Sequence, residues 1–522
     1  MQLSSLTTTS WVALLLALLL PLVCLLYLKK KKQQQQPPRG DGGGDLKPYP
    51  LLGRFPHFVK NQHHLVEWSL DAVKASPTHT TTFKAPFLPG VVITANPDNV
   101  EHIAKTRFAN YPKGEYMASR IEDFLGRGIF NSDGDQWLWQ RKAAVHEFTK
   151  RSQRKFVVDT VRSEVAGRLL PLLDRASRDG RTLDMQHAFE CFTFDNICRL
   201  AFGDDPACLA MEMEGTETPQ AAIEFMRAFD YVQNAILVRF RPPENVLWRI
   251  KKALGMAPER QIREALHVVH AYTERILKRC RESSGRGDFL AHFATSGDRS
   301  DESLRDVVTN FLLAGRDTTS SALTWFFWLV SGRPDVEAKI VDEIRRVRRH
   351  GGSGDDGTTT FTFDELGAMH YVHAAITESM RLYPPVPLGM HYPKQDDVLP
   401  DGTFVGRGWA VSHSVYAMAR LESLWGKDCE EFRPERWLRE EDGTFQPESP
   451  FRYPVFYAGP RTCLGKEMAY IQMKAIVSCA LERFTFRFLG GEERPGMDFS
   501  FMLRMRGGLP MQIAKRPGRE AA

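Results

Sequence analysis

Phe456-Tyr457-Ala458-Gly459-Pro460-Arg461-Thr462-Cys463-Leu464-Gly465 is the stretch on which the reading of this chain turns. Five of its ten places fit one pattern, FxxGxRxCxG. With ordinary residue frequencies, the chance of such a match in a chain this long is on the order of 10⁻⁴. A lone buried cysteine is normally an inert small hydrophobe. Cys463 differs because a helical pattern, Glu467 to Phe484, follows it directly. Amides at a helix N-terminus favour an anionic sulfur. Gly459 and Gly465 let the backbone approach that sulfur closely.

Three further constellations lie upstream. Glu378-Ser-Met-Arg381 sits on a predicted helix, Leu366 to Leu382. That spacing alone commonly marks a bland surface ion pair. Phe432-Arg-Pro-Glu-Arg436-Trp437 lies between it and the cysteine stretch. Ser303 to Ser331 is apolar on most sides, which predicts a helix through the core. Its middle reads Ala314-Gly315-Arg316-Asp317-Thr318-Thr319. A lone carboxylate is costly to bury there. The Thr318 hydroxyl has an acceptor one turn back, the carbonyl of Ala314, and such back-bonding opens a helix groove. Finally, Trp137-Leu-Trp-Gln-Arg141 puts an indole N–H and a guanidinium on one helix face, where both can reach one carboxylate.

Together these stretches resemble the cytochrome P-450 superfamily, the heme-thiolate monooxygenases, over about residues 46–516. The resemblance implies a mainly α fold with small β-sheets. It implies a heme b whose iron, the metal of the site, takes the Cys463 thiolate, which pushes electron density toward O–O cleavage. Trp137, Arg141, Arg461 and His391 are then expected around the heme propionates, and Phe456, Gly459 and Gly465 in the cysteine loop. Glu378, Arg381 and Arg436 become a buried structural triad that fixes the segment presenting that loop. Gly315 leaves room for dioxygen, and Asp317 and Thr318 pass protons toward it as catalytic residues.

Composition agrees with a large core: of 522 residues, 43% are hydrophobic and 25% charged. The formal net charge of +5 is mostly the single run Lys29 to Lys32, so charge lends no support to nucleic-acid binding. None of the eight cysteines has CxxC spacing, which removes zinc ribbons and thioredoxin-type sites. Gly352-Ser-Gly-Asp-Asp-Gly357 matches GxGxxG, but a helical stretch precedes it and the strand-like Thr358–Phe363 follows. A dinucleotide fingerprint needs the reverse order, so electrons must come from a partner. Trp11 to Leu28 is an uncharged run, followed at once by Lys29 to Lys32. Its polarity predicts an uncleaved single-pass anchor of the endoplasmic reticulum with the rest of the chain in the cytosol. The expected organisation is anchor 1–28, basic and Gly/Pro-rich linker 29–47, heme domain 48–516 and tail 517–522.

Finer resemblances, among them Gly128–Gly134, Phe194–Leu200, Leu382–Pro387 and Tyr416–Arg420, point to plant fatty-acid ω-hydroxylases and jasmonoyl-amide oxidases. This implies oxidation of a chain-terminal methyl, on a fatty acid or on a jasmonoyl–amino-acid conjugate. A heme protein without oxygenase turnover is the competing class, and Asp317-Thr318 speaks against it. Met117, Phe124, Phe311, Leu312, Val386, Leu388, Met502 and Leu503 match substrate-contacting segments and are apolar as such a pocket requires. Lys113, Arg239 and Arg504 are candidate carboxylate anchors at the channel mouth. Gly389-Met-His391 departs from the branch, where small polar residues follow. The expected partner is NADPH-cytochrome P-450 reductase, docking near Lys142, Lys150, Arg151 and Lys466.

Overall fold

The computed structural model describes residues 57, 60–61, 64–84, 89–145, 148, 154, 160–210, 220–241, 244–282, 293, 300–350, 359–491 and 494–517. The expected anchor, the linker, the GxGxxG-like loop, Lys150 and Arg151 lie outside the described residues. Among the described residues no helix is long and apolar enough to cross a membrane.

Helices dominate and the sheets are small. The predicted core helix starts at Asp301, where the Ser300 hydroxyl accepts the Ser303 amide at 3.2 Å and Asp301 and Glu302 meet the positive helix end. It runs as an α-helix over Asp301–Leu312, makes a π-helical turn over Leu313–Asp317, and resumes as Thr318–Ser331. The π turn stands where Thr318 was expected to open the ladder: its hydroxyl donates to the Ala314 carbonyl at 2.7 Å. The carbonyl of Arg316 is taken by the Thr193 hydroxyl at 2.9 Å, from the buried helix Met185–Phe202. That crossing holds the distorted turn in place.

Gln261 to Glu282, amphipathic in sequence, is helix Glu259–Glu282, and the predicted helices Leu366–Leu382 and Glu467–Phe484 appear as His370–Leu382 and Lys466–Arg483. The stretch before Leu366 is different from its expected strand. Residues 359–362 are irregular, and Thr362 opens the short helix Phe363–Gly367 through a capping box with Glu365. The threonine-rich run read as a strand is in part a helix cap.

Thr80–Phe83 and Val91–Thr94 pair antiparallel, as their alternation predicts. Val91–Thr94 then lies parallel to Ala410–Ser414, which pairs with Leu388–His391. This four-stranded sheet carries Leu388 and Met390 toward the cavity described below. The strand Pro510–Lys515 joins Phe484–Phe488, the extended continuation of helix Lys466–Arg483.

Candidate active site

Cys463 sits between a 3-10 turn, Gly459–Arg461, and helix Lys466–Arg483. Its amide donates to the Phe456 carbonyl at 2.8 Å, which closes the loop. Burial raises the thiol, while the amides of Gly465 and Lys466 and the guanidinium of Arg141 pull it back toward the anion. The helix-terminus argument therefore survives. The glycine argument changes. Gly459 has φ +65°, and a β-carbon there would stand 2.1 Å from the Ala104 carbonyl oxygen. What it accommodates is a neighbouring backbone, not the sulfur. A β-carbon on Gly465 would meet the sulfur only at 3.9 Å, so ordinary contact is all that this position saves.

Cys463 opens into a mainly apolar cavity of about 1110 Å³. Trp137, Arg141, Phe456, Arg461, Gly465, Gly315 and Thr318 all line it, so three separate sequence motifs converge on one space. Of the predicted substrate wall, Met117, Phe311, Val386, Leu388 and Met502 line it as well. Phe124, Leu312 and Leu503 do not. Phe124 packs on Phe229 and Phe501 in the core. Leu312 is buried on the side of its helix away from the space. Leu503 spends its carbonyl on the Ser321 hydroxyl and the Trp325 indole. Apolar character alone cannot separate pocket wall from core.

A group of cations borders the cysteine side. The Arg461 guanidinium lies over the Trp137 ring at 4.7 Å and donates to Asp133 at 2.7 Å. Lys113 lies over the Tyr457 ring at 5.2 Å, and burial together with Arg461 pushes its ammonium down to about 7, with Asp133 opposing. Burial likewise lowers Arg141 and Arg461. Three largely enclosed cations, of intermediate exposure, against the one carboxylate of Asp133 make a site for further negative charge. The two propionates of a heme supply that, and the space above Cys463 is apolar as its macrocycle requires. The residues present fit the group.

Lys113 thus belongs to this set and not to a channel mouth. His391 is displaced from it by one step. Its Nδ1 pairs with the Tyr111 carbonyl at 2.8 Å and its Nε2 with the Tyr457 hydroxyl at 2.6 Å. A carbonyl only accepts, so Nδ1 carries the proton and Nε2 accepts from Tyr457. His391 does not line the cavity, whereas Tyr457 does. Tyr457 was missed because an aromatic between Phe456 and Ala458 signals nothing by itself.

The other two proposed anchors are already paired. Arg239 is buried against Glu259 at 2.5 Å and Asp123 at 2.9 Å. Arg504 pairs with Glu190 and, at 3.2 Å, with Asp230. That second cluster also revises the argument about Asp317. Asp317 is not a lone carboxylate. Arg316 lies 3.2 Å from it and 2.8 Å from Asp230, and Gln233 donates to it at 3.0 Å. Burial nevertheless raises the Asp317 carboxyl, with Arg316 opposing. Asp317 stands behind the cavity wall, whereas Thr318 lines it. The space beside Gly315 is also accounted for, since a β-carbon there would meet Ile197 at 2.6 Å. Gly315 admits a crossing helix closely, and the room for dioxygen is not its side-chain space.

Glu378, Arg381 and Arg436 come together as the resemblance implied. Arg381 donates to both Glu378 oxygens, at 2.7 and 2.8 Å, and Arg436 adds a bond at 3.0 Å. Trp437 donates its indole N–H to Glu378 at 2.9 Å, a fourth member that the spacing did not reveal. Arg381 also donates to the Cys429 carbonyl at 2.7 Å, tying helix His370–Leu382 to the irregular segment before the cysteine loop. Of the expected docking residues described here, Lys142 is exposed and Lys466 lies half-buried near the Phe456 ring.

Comparison with known proteins agrees with this arrangement. The family model described as Cytochrome P450 matches residues 44–509. Cytochrome P450 CYP94D108 of Paris polyphylla is 44% identical over 466 residues, covering 89% of this chain and 91% of that protein. Cytochrome P450 94B1 of Arabidopsis thaliana is 41% identical over 480 residues, 90% and 91% of the two chains. Cytochrome P450 94A1 of Vicia sativa is 40% identical over 483 residues, 90% of each. A thiol held by helix-end amides at the floor of an apolar, cation-bordered cavity is what this likeness requires, and the chain belongs to the cytochrome P450 family of monooxygenases.

Proposed function

We propose that this protein hydroxylates the terminal carbon of a fatty acid, using O₂ and electrons from a separate NADPH-dependent reductase. The observation that carries the proposal is the mainly apolar cavity of about 1110 Å³ lined by Cys463 together with Val386, Leu388 and Phe311. We place the protein at the endoplasmic reticulum, held by the run Trp11–Leu28 with its lysines on the cytosolic side. A jasmonoyl–amino-acid conjugate is the competing substrate, since it too joins an oxidisable terminal carbon to a distant carboxylate.

Heme would supply the oxidising power when bound, and Cys463 is the residue that would hold its iron. In this proposal Trp137, Arg141 and Arg461, joined by Lys113 and Tyr457, hold the propionates, and His391 orients Tyr457. The walls keep water out and hold the chain end-on. A terminal methyl has a stronger C–H bond than the methylene beside it, so positioning must outweigh reactivity. Val386→Ala or Leu388→Ala should admit more chain and move product toward the penultimate carbon. A change of about 1.4 kcal/mol in preference alters the product ratio about tenfold. Mass spectrometry of the hydroxylated acids reads this shift, and an unchanged product set would remove both residues from the wall.

Thr318 lines the cavity beside the π turn, and burial raises the carboxyl of Asp317 behind it to about 6, so that it can take up and release a proton near neutral pH. We assign Thr318 the hand-over of that proton toward the reacting oxygen. Thr318→Ala should retain heme and fatty-acid binding yet use more NADPH per product, with peroxide released instead. Wild-type coupling in the variant would leave Thr318 a packing role only.

A further inference from the structure

The cavity has a second group of cations, on elements distinct from the cysteine loop. Arg120 lies on helix Gly114–Leu125, Arg241 follows the 3-10 turn Leu237–Phe240, and Arg249 lies on helix Glu244–Ala253. All three line the cavity that holds Cys463. Arg120 is 7% exposed and has no carboxylate partner among the described residues. Its Nε donates to the Arg239 carbonyl at 3.1 Å, and its Nη atoms to the carbonyls of Tyr116 at 2.8 Å and Asn245 at 2.9 Å. A guanidinium has five N–H donors, so two remain. Burial lowers Arg120, and Arg249 and Arg239 repel its charge further. The side chain of Arg241 also has no partner among the described residues, and burial alone lowers it. Arg249 has the Trp248 ring beside it at 5.4 Å and no acid partner among the described residues.

Next to them stands an unused neutral donor. Tyr392 lines the same cavity and is 6% exposed, and its buried hydroxyl has no hydrogen-bond partner. Burial raises the phenol and Arg120 opposes, so the hydroxyl keeps its proton and sits within the field of that guanidinium. Its ring packs on Tyr116 at 5.2 Å, and the Arg120 guanidinium covers the other side of that contact at 3.4 Å from the Tyr116 ring.

Of the three arginines Arg120 is buried, Arg241 half-buried and Arg249 exposed. A buried cation without counter-charge, such as Arg120, and a buried hydroxyl without an acceptor are both costly unless a ligand completes them. We propose that Arg120, Arg241, Arg249 and the Tyr392 hydroxyl form a subsite for the carboxylate of the substrate. This group and Cys463 line one cavity, so an acid held here leaves its apolar end within the space that contains Cys463. Arg120 supplies charge in a fixed position, Arg249 and Arg241 close on the two oxygens, and Tyr392 donates one hydrogen bond. The inference rests on the ω-hydroxylase reading for the class of acid and deepens it by naming where the acid end is held. A free fatty acid and a jasmonoyl–amino acid share this chemistry, and the test separates them.

The experiment is equilibrium dialysis of the heme-loaded full chain with dodecanoic acid, its methyl ester, and a jasmonoyl–amino acid with its methyl ester. Wild type is compared with Arg241→Glu/Arg249→Glu, with the lysine pair R241K/R249K, and with Tyr392→Phe, each checked for an unaltered thiolate heme spectrum. Acid binding should weaken about tenfold or more in the glutamate pair, with the ester affected about twofold or less. The lysine pair should recover most of the loss, and Tyr392→Phe should show a smaller acid-selective loss. Equal losses for acid and ester, or no loss, would overturn the subsite while leaving terminal hydroxylation standing. If wild type binds only the jasmonoyl acid, and the glutamate pair loses it selectively, the subsite stands and the fatty-acid reading falls. Wild type that does not favour either acid over its ester overturns the subsite as well.

Discussion

Cys463→Ser abolishes the thiolate signature of the reduced carbon monoxide complex, and product formation with it. The reason lies in the loop. The amides of Gly465 and Lys466 converge on the sulfur, and Arg141 adds positive charge, so the site is built for an anion of that size and softness. A serine hydroxyl is far harder to ionise and donates little electron density to iron. The loop itself should tolerate the change, because the Cys463 amide still reaches the Phe456 carbonyl and the Gly459 turn is untouched. Heme binding by the variant, without the thiolate band, distinguishes loss of the ligand from loss of the fold. A retained thiolate band would end the heme-thiolate assignment.

Glu378→Ala acts on the fold instead. It strips the shared counter-ion from Arg381, which is buried, and from Arg436, and leaves the Trp437 indole without its acceptor. Breaking a buried ion pair by removing one partner costs about 3–5 kcal/mol. For a protein of ordinary stability that is a large part of the whole. Denaturant unfolding of the heme-loaded protein should show the loss, and heme content on purification should fall, since Arg381 fastens the segment leading to the cysteine loop. Glu378→Gln keeps a hydrogen-bond acceptor and should recover part of the loss. Wild-type stability in Glu378→Ala would mean that the network is a by-product of packing.

How much of this was legible in the sequence follows from the range of each interaction. The Cys463 loop, the helix behind it and the Glu378–Arg381 pair are local, and short spacing rules find them. The core helix was visible from its apolar surface, but its π turn depends on Thr193, which comes from a distant helix. The same limit hid the partners of Asp317. It reads as a lone carboxylate in an apolar helix, whereas the fold sets Arg316 and Gln233 against it and Asp230 against Arg316. Arg239 and Arg504 looked free because their acids, Glu259 and Glu190, are set against them only by the fold. Leu503 and Met502 are adjacent, yet only Met502 reaches the cavity: the bend Ser500–Met502 lines it, and the chain turns away where the strand Leu503–Met505 begins.

The direct test of terminal hydroxylation is the position of oxygen in the product. Membranes carrying the full chain and its reductase partner are supplied with NADPH, a series of saturated fatty acids and ¹⁸O₂, and the products are analysed by mass spectrometry. The expected result is one labelled oxygen on the terminal carbon of at least one chain length, dependent on both NADPH and the reductase. Label found only at mid-chain carbons, or hydroxylated acid carrying oxygen from water, would contradict it.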